Sequence, residues 1–343
     1  MLDPATGDGP GPEGNDSYRK GDIVETAYVA EGLLAAIQYF GDPASPVESE
    51  IRRTADTLWR EIEWDFYQVR PGGPFWWHWS SDSGFDCPAQ TQVYGFNECM
   101  IVYLLAMASP THPVSVDSWA AWAPEHYTTD LEYHGIRQYV QYSYGGGWGL
   151  NLSLFWTHYS YLGFDPRTIR GPELDKAGAP RGFTYFDVFR NVSLINRAYG
   201  LEHHPEHGAA WGLTASDDPE GYAGHSPGPF RDGMGDNGTI TPTAALSAMP
   251  YTPQESYAAL LAFRADPRLH GRYGFRDAYN PARGWYSDRH IGIDQGPIVI
   301  MIENHRSGLI WRLFMSHPTI ADPQHGLLRK LADAGWTISR TAS

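Results

Sequence analysis

Two kinds of helical run alternate along this chain. Residues 22–40 put Ile23, Ala27, Ala30, Leu34 and Ile37 on one stripe and are mostly apolar. Residues 46–67 instead crowd together Glu48, Glu50, Arg52, Arg53, Asp56, Arg60 and Glu61. A mostly apolar helix must be covered all round, and an amphipathic one on a single face, so the pair predicts an inner and an outer layer. The alternation recurs. Residues 98–108 carry no charge after Glu98, 115–142 are polar, and an apolar helix is expected near 150–162. Further helices are expected at 183–199, 241–249 (apolar), 253–264 (amphipathic), 297–315 (apolar with a polar middle) and 327–334. Strand signals are short, at 75–79 and 211–214. The pattern predicts an all-α chain, a single domain over 1–343, with 1–20 as a loop-like lead segment. A ring of helical hairpins fits it, and so does a generic helical domain.

Composition narrows the function. A net charge of −15 argues against nucleic acid and against an anionic membrane surface, both of which demand a basic face. No run reaches the ~18 apolar residues of a membrane helix. Met1-Leu2-Asp3-Pro4-Ala5 shows no basic or apolar leader. Cys87 and Cys99 make neither a disulfide framework nor a zinc motif, and they leave the compartment open. No cofactor and no metal are expected. The 37 Gly and 26 Pro gather in long loops at 70–94, 143–149, 200–240 and 266–296, and loops of that length tend to carry function.

Three carboxylates stand where helices are expected to begin: Glu25, Glu98 and Asp294. If those helices are parallel inner ones, the acids share one mouth. With 13 Trp, 21 Tyr and 14 Phe in the chain, a mouth of acids and aromatics suits glycoside cleavage. Each acid also has a plain structural reading. Asp22 and Glu25 form a capping-box-like start, Asp294 is an N-cap before Pro297, and Glu98 follows an Asn97 cap. A general acid at Glu98 needs burial by neighbours such as Trp76, Trp77 or Tyr94 to outweigh the helix dipole. Strand alternation would turn Trp77 and Trp79 one way, and Trp76 and His78 the other. Thr252 to Glu255 reads as a capping box. Gly224 to Gly228 matches a serine-hydrolase elbow only as a pattern, because its flanks are loop. His203, His204 and His207 are metal-ligand types, but Pro205 disfavours the helix that would bring His203 and His207 together, so a solvated loop is expected.

Several segments resemble the bacterial glucoamylase-like family that contains endo-β-1,2-glucanases. They are Asp-Ile-Val-Glu-Thr-Ala (22–27), Gly-Phe-Asn-Glu (95–98), Thr-His-Tyr-Ser (157–160), Leu-Ile-Asn-Arg-Ala-Tyr (194–199), Trp-Gly-Leu-Thr-Ala-Ser-Asp (211–217), Asp-Asn-Gly-Thr-Ile-Thr-Pro-Thr (236–243) and Ile-Asp-Gln-Gly-Pro (293–297). The resemblance implies an (α/α)6 barrel and hydrolysis of β-1,2-glucan or its glucooligosaccharides. It implies Glu98 as general acid, with Asp294 or the Asp22/Glu25 pair as the second carboxylate. Trp76, Trp77, Trp79, Tyr94, His158, Arg197, Asp217, Asp236 and Glu303 are expected at the sugar. Alternatives are a transglycosylase of cyclic β-1,2-glucan metabolism and a sugar-binding relic. The family carries further helices upstream, and about ten are counted here where twelve are expected. The chain is therefore expected to lack its first hairpin, and a periplasmic or secreted location is expected by resemblance. The oligomeric state is left open.

Overall fold

Asp22 decides where the first helix starts. Its Oδ1 accepts the Val24 and Glu25 amides at 2.9 and 3.0 Å, which satisfies two of the donors a helix leaves free at its start. The computed structural model describes residues 20–81, 83–86, 91–122, 128–141, 152–228 and 234–339. The expected lead segment (except Lys20), the loop at 143–149 and Cys87 lie outside them. Among the described residues the α-helices are α1 Ile23–Tyr39, α2 Pro46–Arg60, α3 Met100–Ala108, α4 Trp119–Trp122, α5 Pro172–Lys176, α6 Tyr185–His203, α7 Pro242–Ser247, α8 Pro253–Ala265, α9 Gly292–Ser307, α10 Leu309–Ser316, α11 Pro318–Ala321 and α12 Leu327–Asp333. Among the described residues the strands form only two-stranded antiparallel pairs. No described helix is long and apolar enough to cross a membrane.

The layering follows the polarity of the runs. Every residue of α3 and of α7 is buried. In α2 only Ala55 and Trp59 are, which leaves its charged residues on the outside. Helix α8 buries only Ser256, Ala259 and Phe263, an i, i+3, i+7 stripe. Helix α1 packs against α2, α3 and α10, and α7 packs against α8 and α9. The core is one cluster running through these helices, with Trp59, Trp64, Trp122, Trp211 and Trp311 fully buried.

Several expectations are corrected. The second helix ends at Arg60, and only a short turn at Asp65–Tyr67 follows. The expected helix at 150–162 is two 3-10 turns, Leu154–Thr157 and Tyr159–Tyr161. Tertiary bonds take its backbone donors: Leu154 N donates to Leu213 O and Phe155 N to Thr214 Oγ1. The run at 297–315 starts earlier and splits, because Gly308 adopts φ 66° between α9 and α10. Asp294 therefore sits in the first turn of α9, behind an Ile291 cap, and Pro297 lies inside the helix. The strand expected at 211–214 starts only at Ser216. Gly212 breaks it with φ 137°, and a Cβ there would lie 2.7 Å from Thr241 O and from Ala244 Cβ. Thr252 makes no capping bond; its hydroxyl meets Ala248 O and Ser256 Oγ instead.

One buried carboxyl serves the fold. Glu31 of α1 is 3% exposed, and its Oε1 accepts the Gly163 and Phe164 amides at 2.7 and 3.1 Å. Burial pushes it up to about 8, against which the two amide bonds work. A raised folded pKa contributes stability that is fully present below the unfolded value near 4.5 and is lost as pH rises through about 8. Glu31→Gln keeps an acceptor for both amides and carries no charge. Thermal melts across pH should show the variant gaining on wild type as pH rises through about 8, with the gap closing below about 4.5. A gap independent of pH would refute the assignment.

Candidate active site

Glu98 ends the loop before α3. It stands one residue ahead of the Cys99 cap position, outside the helix, so it escapes most of the dipole that would lower its pKa. Asn97 Oδ1 accepts the Cys99 amide at 3.0 Å and turns the chain there. The Glu98 carbonyl accepts from Tyr28 Oη at 3.2 Å and from Ser160 Oγ. Its carboxyl is pushed up to about 7, first by burial and then by the charges of Glu25 and Asp22, against the Trp156 indole that bonds it. A carboxyl poised near neutrality can hold a proton and give it up, which a general acid requires.

Asp22 does two jobs. Besides capping α1, it takes Trp77 Nε1 on Oδ2 at 3.1 Å, and His78 Nε2 lies 3.3 Å from the same oxygen. Its backbone is paired with His78 in the strand pair Lys20–Asp22 with His78–Ser80, so Glu25 does not complete a capping box. Trp77 and His78 thus turn the same way, against the expected alternation. Trp77 lies between two short strands, Phe75–Trp76 and His78–Ser80, where the pleat is interrupted. Glu25, on the exposed face of the first turn of α1, is raised by burial and by Asp22.

Asp294 is fully buried. Tyr159 Oη donates to its Oδ1 at 3.1 Å, and its carbonyl accepts from Thr243 Oγ1 at 2.6 Å. Its Oδ2 and Asp277 Oδ1 have no donor, and the two carboxyls bond each other. Two such acids hold one proton between them, and burial, then mutual charge, pushes Asp294 up. Asp277 Oδ2 accepts the Asp217 amide at 2.7 Å, and Asp217 is itself held by Ser287 Oγ at 2.6 Å with Arg289 at 3.5 Å.

Tyrosines bridge the two acidic ends. Tyr28 and Tyr159 meet edge to face at 5.6 Å. Burial pushes the Tyr159 and Tyr222 hydroxyls well up, and both also feel Asp294 and Glu98. The Tyr222 side chain is 54% exposed over this group. Asp22, Glu25, Glu98 and Asp294 are therefore brought together. Asp277, Tyr28, Tyr159, Tyr222 and Trp156 join them, none of them singled out from the sequence.

Other expected residues fall elsewhere. Trp76 stacks on Phe85, and Trp79 meets Phe66, in an aromatic cluster with Tyr67. His158 is 1% exposed and stacked with Tyr251, and burial holds it neutral at about 3. Tyr94 is half exposed at the end of the strand pair before Glu98, and Arg197 lies in the last third of α6. Asp236 is bonded to His204. Glu303 pairs with Arg306 at 2.8 Å, nine residues along α9 from Asp294 and hence about 13 Å away by helix rise. It lines a separate cavity of about 790 Å³ only through its neighbours Asn304 to Gly308. Gly224 to Gly228 follows the strand Gly221–Ala223, which corrects the loop expected on that flank, and residues 229–233 beyond it lie outside the described residues.

The chain has counterparts among known proteins. An exo β-1,2-glucooligosaccharide sophorohydrolase (non-reducing end) of Parabacteroides distasonis is 36% identical over 88% of this chain, which spans 42% of that protein's length. The structure of an endo-β-1,2-glucanase from Chitinophaga pinensis, in complex with sophorotriose and glucose, is 36% identical with a TM-score of 0.81, covering 96% of this chain and 74% of that one. That of a β-1,2-glucanase from Parabacteroides distasonis is 33% identical with a TM-score of 0.82, covering 96% and 47%. Residues 90–318 match the Glycoamylase family, described as putative glucoamylase, and the chain belongs to that family.

Proposed function

We propose that this chain hydrolyses β-1,2-linked glucooligosaccharides by general acid/base catalysis within an (α/α)6 barrel. The observation that carries the reading is Glu98, a half-buried carboxyl pushed up to about 7 against the Trp156 indole, with a charge that also reaches the half-exposed Tyr222. The relatives' substrates and the fold likeness support it. Glu98 gives its proton to the glycosidic oxygen as the bond to the anomeric carbon breaks, and water adds to that carbon. The charges that act on Glu98 are those of Glu25 and Asp22. They stand on its own side and keep it protonated. Asp294 lies beyond Tyr159, which feels both ends. The water's proton passes to the Tyr159 hydroxyl as that hydroxyl gives its own to the Asp277–Asp294 pair, which holds one proton before the step and two after it, one on each carboxyl. The half-exposed Tyr222 ring offers a face on which a sugar can stack.

Three outcomes test this on linear β-1,2-glucan. Glu98→Gln keeps the shape but cannot donate a proton, so turnover falls by about 10²- to 10⁴-fold while glucan affinity, read by calorimetry, is retained. Asp294→Asn should also lower turnover without weakening binding. Activity within about threefold of wild type, against the usual 10²- to 10⁴-fold, would remove either residue from the mechanism. The activity of the wild-type protein should fall as pH rises through about 7, where Glu98 loses its proton. Glu25→Gln removes a charge that raises Glu98, so the alkaline limb should move to lower pH; an unmoved limb would show that Glu98 does not set it.

A further inference from the structure

Where α6 ends, the chain turns at Pro205 through a single 3-10 turn, Pro205–His207. Pro205 stops the helix, as the sequence implied, yet the turn gathers a different set of side chains. His204, Glu206 and His207 each point one ligand-type atom to within 4.8 Å of the others. His204 Nδ1 is 3.4 Å from Glu206 Oε1, and His207 Nε2 is 3.7 Å from the same oxygen. Ligands at about 2.0–2.1 Å from a tetrahedral ion stand roughly 3.3–3.5 Å apart, so these pairs are close to closing on one. His203 is turned away; its ring stacks on Tyr199 at 4.0 Å, and its Nδ1 meets the Tyr199 carbonyl.

Two further observations point to a ligand. The His207 side chain is only 2% exposed, and its Nε2, facing Glu206, has no hydrogen-bond partner. A buried imidazole nitrogen left without a partner is costly unless something else fills its lone pair. On the other ring, His204 Nε2 lies 2.6 Å from Asp236 Oδ2. With Asp236 taking the Nε2–H, Nδ1 is the ring atom that faces Glu206, and it is the atom a cation between them would take as ligand. A carboxylate behind a histidine is the usual support of a metal-bound imidazole. Asp236 is itself held, its Oδ1 accepting the Gly238 amide at 2.9 Å.

We propose that His204, Glu206 and His207 bind a divalent first-row cation. Two imidazoles and one carboxylate suit Zn²⁺, with water in the fourth position beside the half-exposed Glu206. The cation clamps the end of α6 to the loop of Asp236. That loop continues into Asn237 and Thr239, which both donate to Asp218 Oδ2 at 2.8 Å. The site takes no part in the chemistry proposed for Glu98 and is independent of it.

The test uses the whole chain, dialysed against a chelator and titrated with ZnCl₂ alone. Calorimetry should show one tight equivalent, and the melting temperature should rise by a few degrees at roughly a hundredfold excess over Kd. Asp236→Asn should weaken binding by about 10- to 100-fold, as loss of such a supporting carboxylate does. Glu206→Ala, an exposed change that leaves folding intact, should abolish the tight equivalent, Glu206→His should restore it, and His203→Ala should leave it unchanged. Absence of a tight equivalent in wild type, or its survival in Glu206→Ala, overturns the proposal. If His207→Ala fails to fold, the Glu206 pair of variants still decides the matter.

Discussion

Carboxyls taken out of water govern this molecule. The largest influences on Glu98 and on the Asp277–Asp294 pair are burial, other carboxylates and hydrogen bonds. In such surroundings an acid either keeps a proton or shares one, since a bare charge would cost several kcal/mol to bury. The mouth is therefore a store of protons at neutral pH. It can be one only because α1, α3 and α9 start at the same end and bring their first turns together.

That convergence rests on fixed points. Asp22 ties the α1 start to Trp77 and His78, so one side chain sets both the helix boundary and the loop that lines the mouth. Ser160 and Tyr28 hold the Glu98 carbonyl from two other elements. Thr243 at the start of α7 holds the Asp294 carbonyl. Glu98 and Asp294 are thus positioned through their backbone carbonyls, which leaves each carboxyl able to change protonation without loosening that hold, whereas Asp22 is fixed through its carboxylate.

The helical layering was legible because polarity periods report burial directly: α1, α3, α7, α8 and α12 lie close to where their patterns put them, while α2 starts where expected and ends seven residues early. The run at 150–162 misled because an apolar stretch says that a segment is buried, not that it is helical. Its amides were claimed by Leu213 and Thr214, residues about sixty positions away. Glu98 and Asp294 were legible as acids opening apolar runs. Asp277 was not, since it opens no helix and sits in a Gly- and Arg-rich stretch, and only the packed structure sets it against Asp294. The histidines show the same limit. Helix spacing paired His203 with His207, whereas a 3-10 turn after Pro205 pairs His204 with His207.

Glu31 shows why a shifted pKa alone does not mark a catalytic group. It is raised even more than Glu98, to about 8 against about 7, and by the same cause. What separates them is what each oxygen meets. Glu31 spends Oε1 on two backbone amides in the core, a fixed arrangement that a substrate cannot enter. Glu98 is partly open, and its carboxyl meets an indole and the charges of two other acids, one of them exposed. An incoming glycosidic oxygen can replace solvent at Glu98 and take its proton; at Glu31 it would have to displace the link between α1 and the Gly163–Phe164 loop. The same physics of desolvation thus fastens the fold at the middle of α1 and sets up acid chemistry at its start, and access decides which.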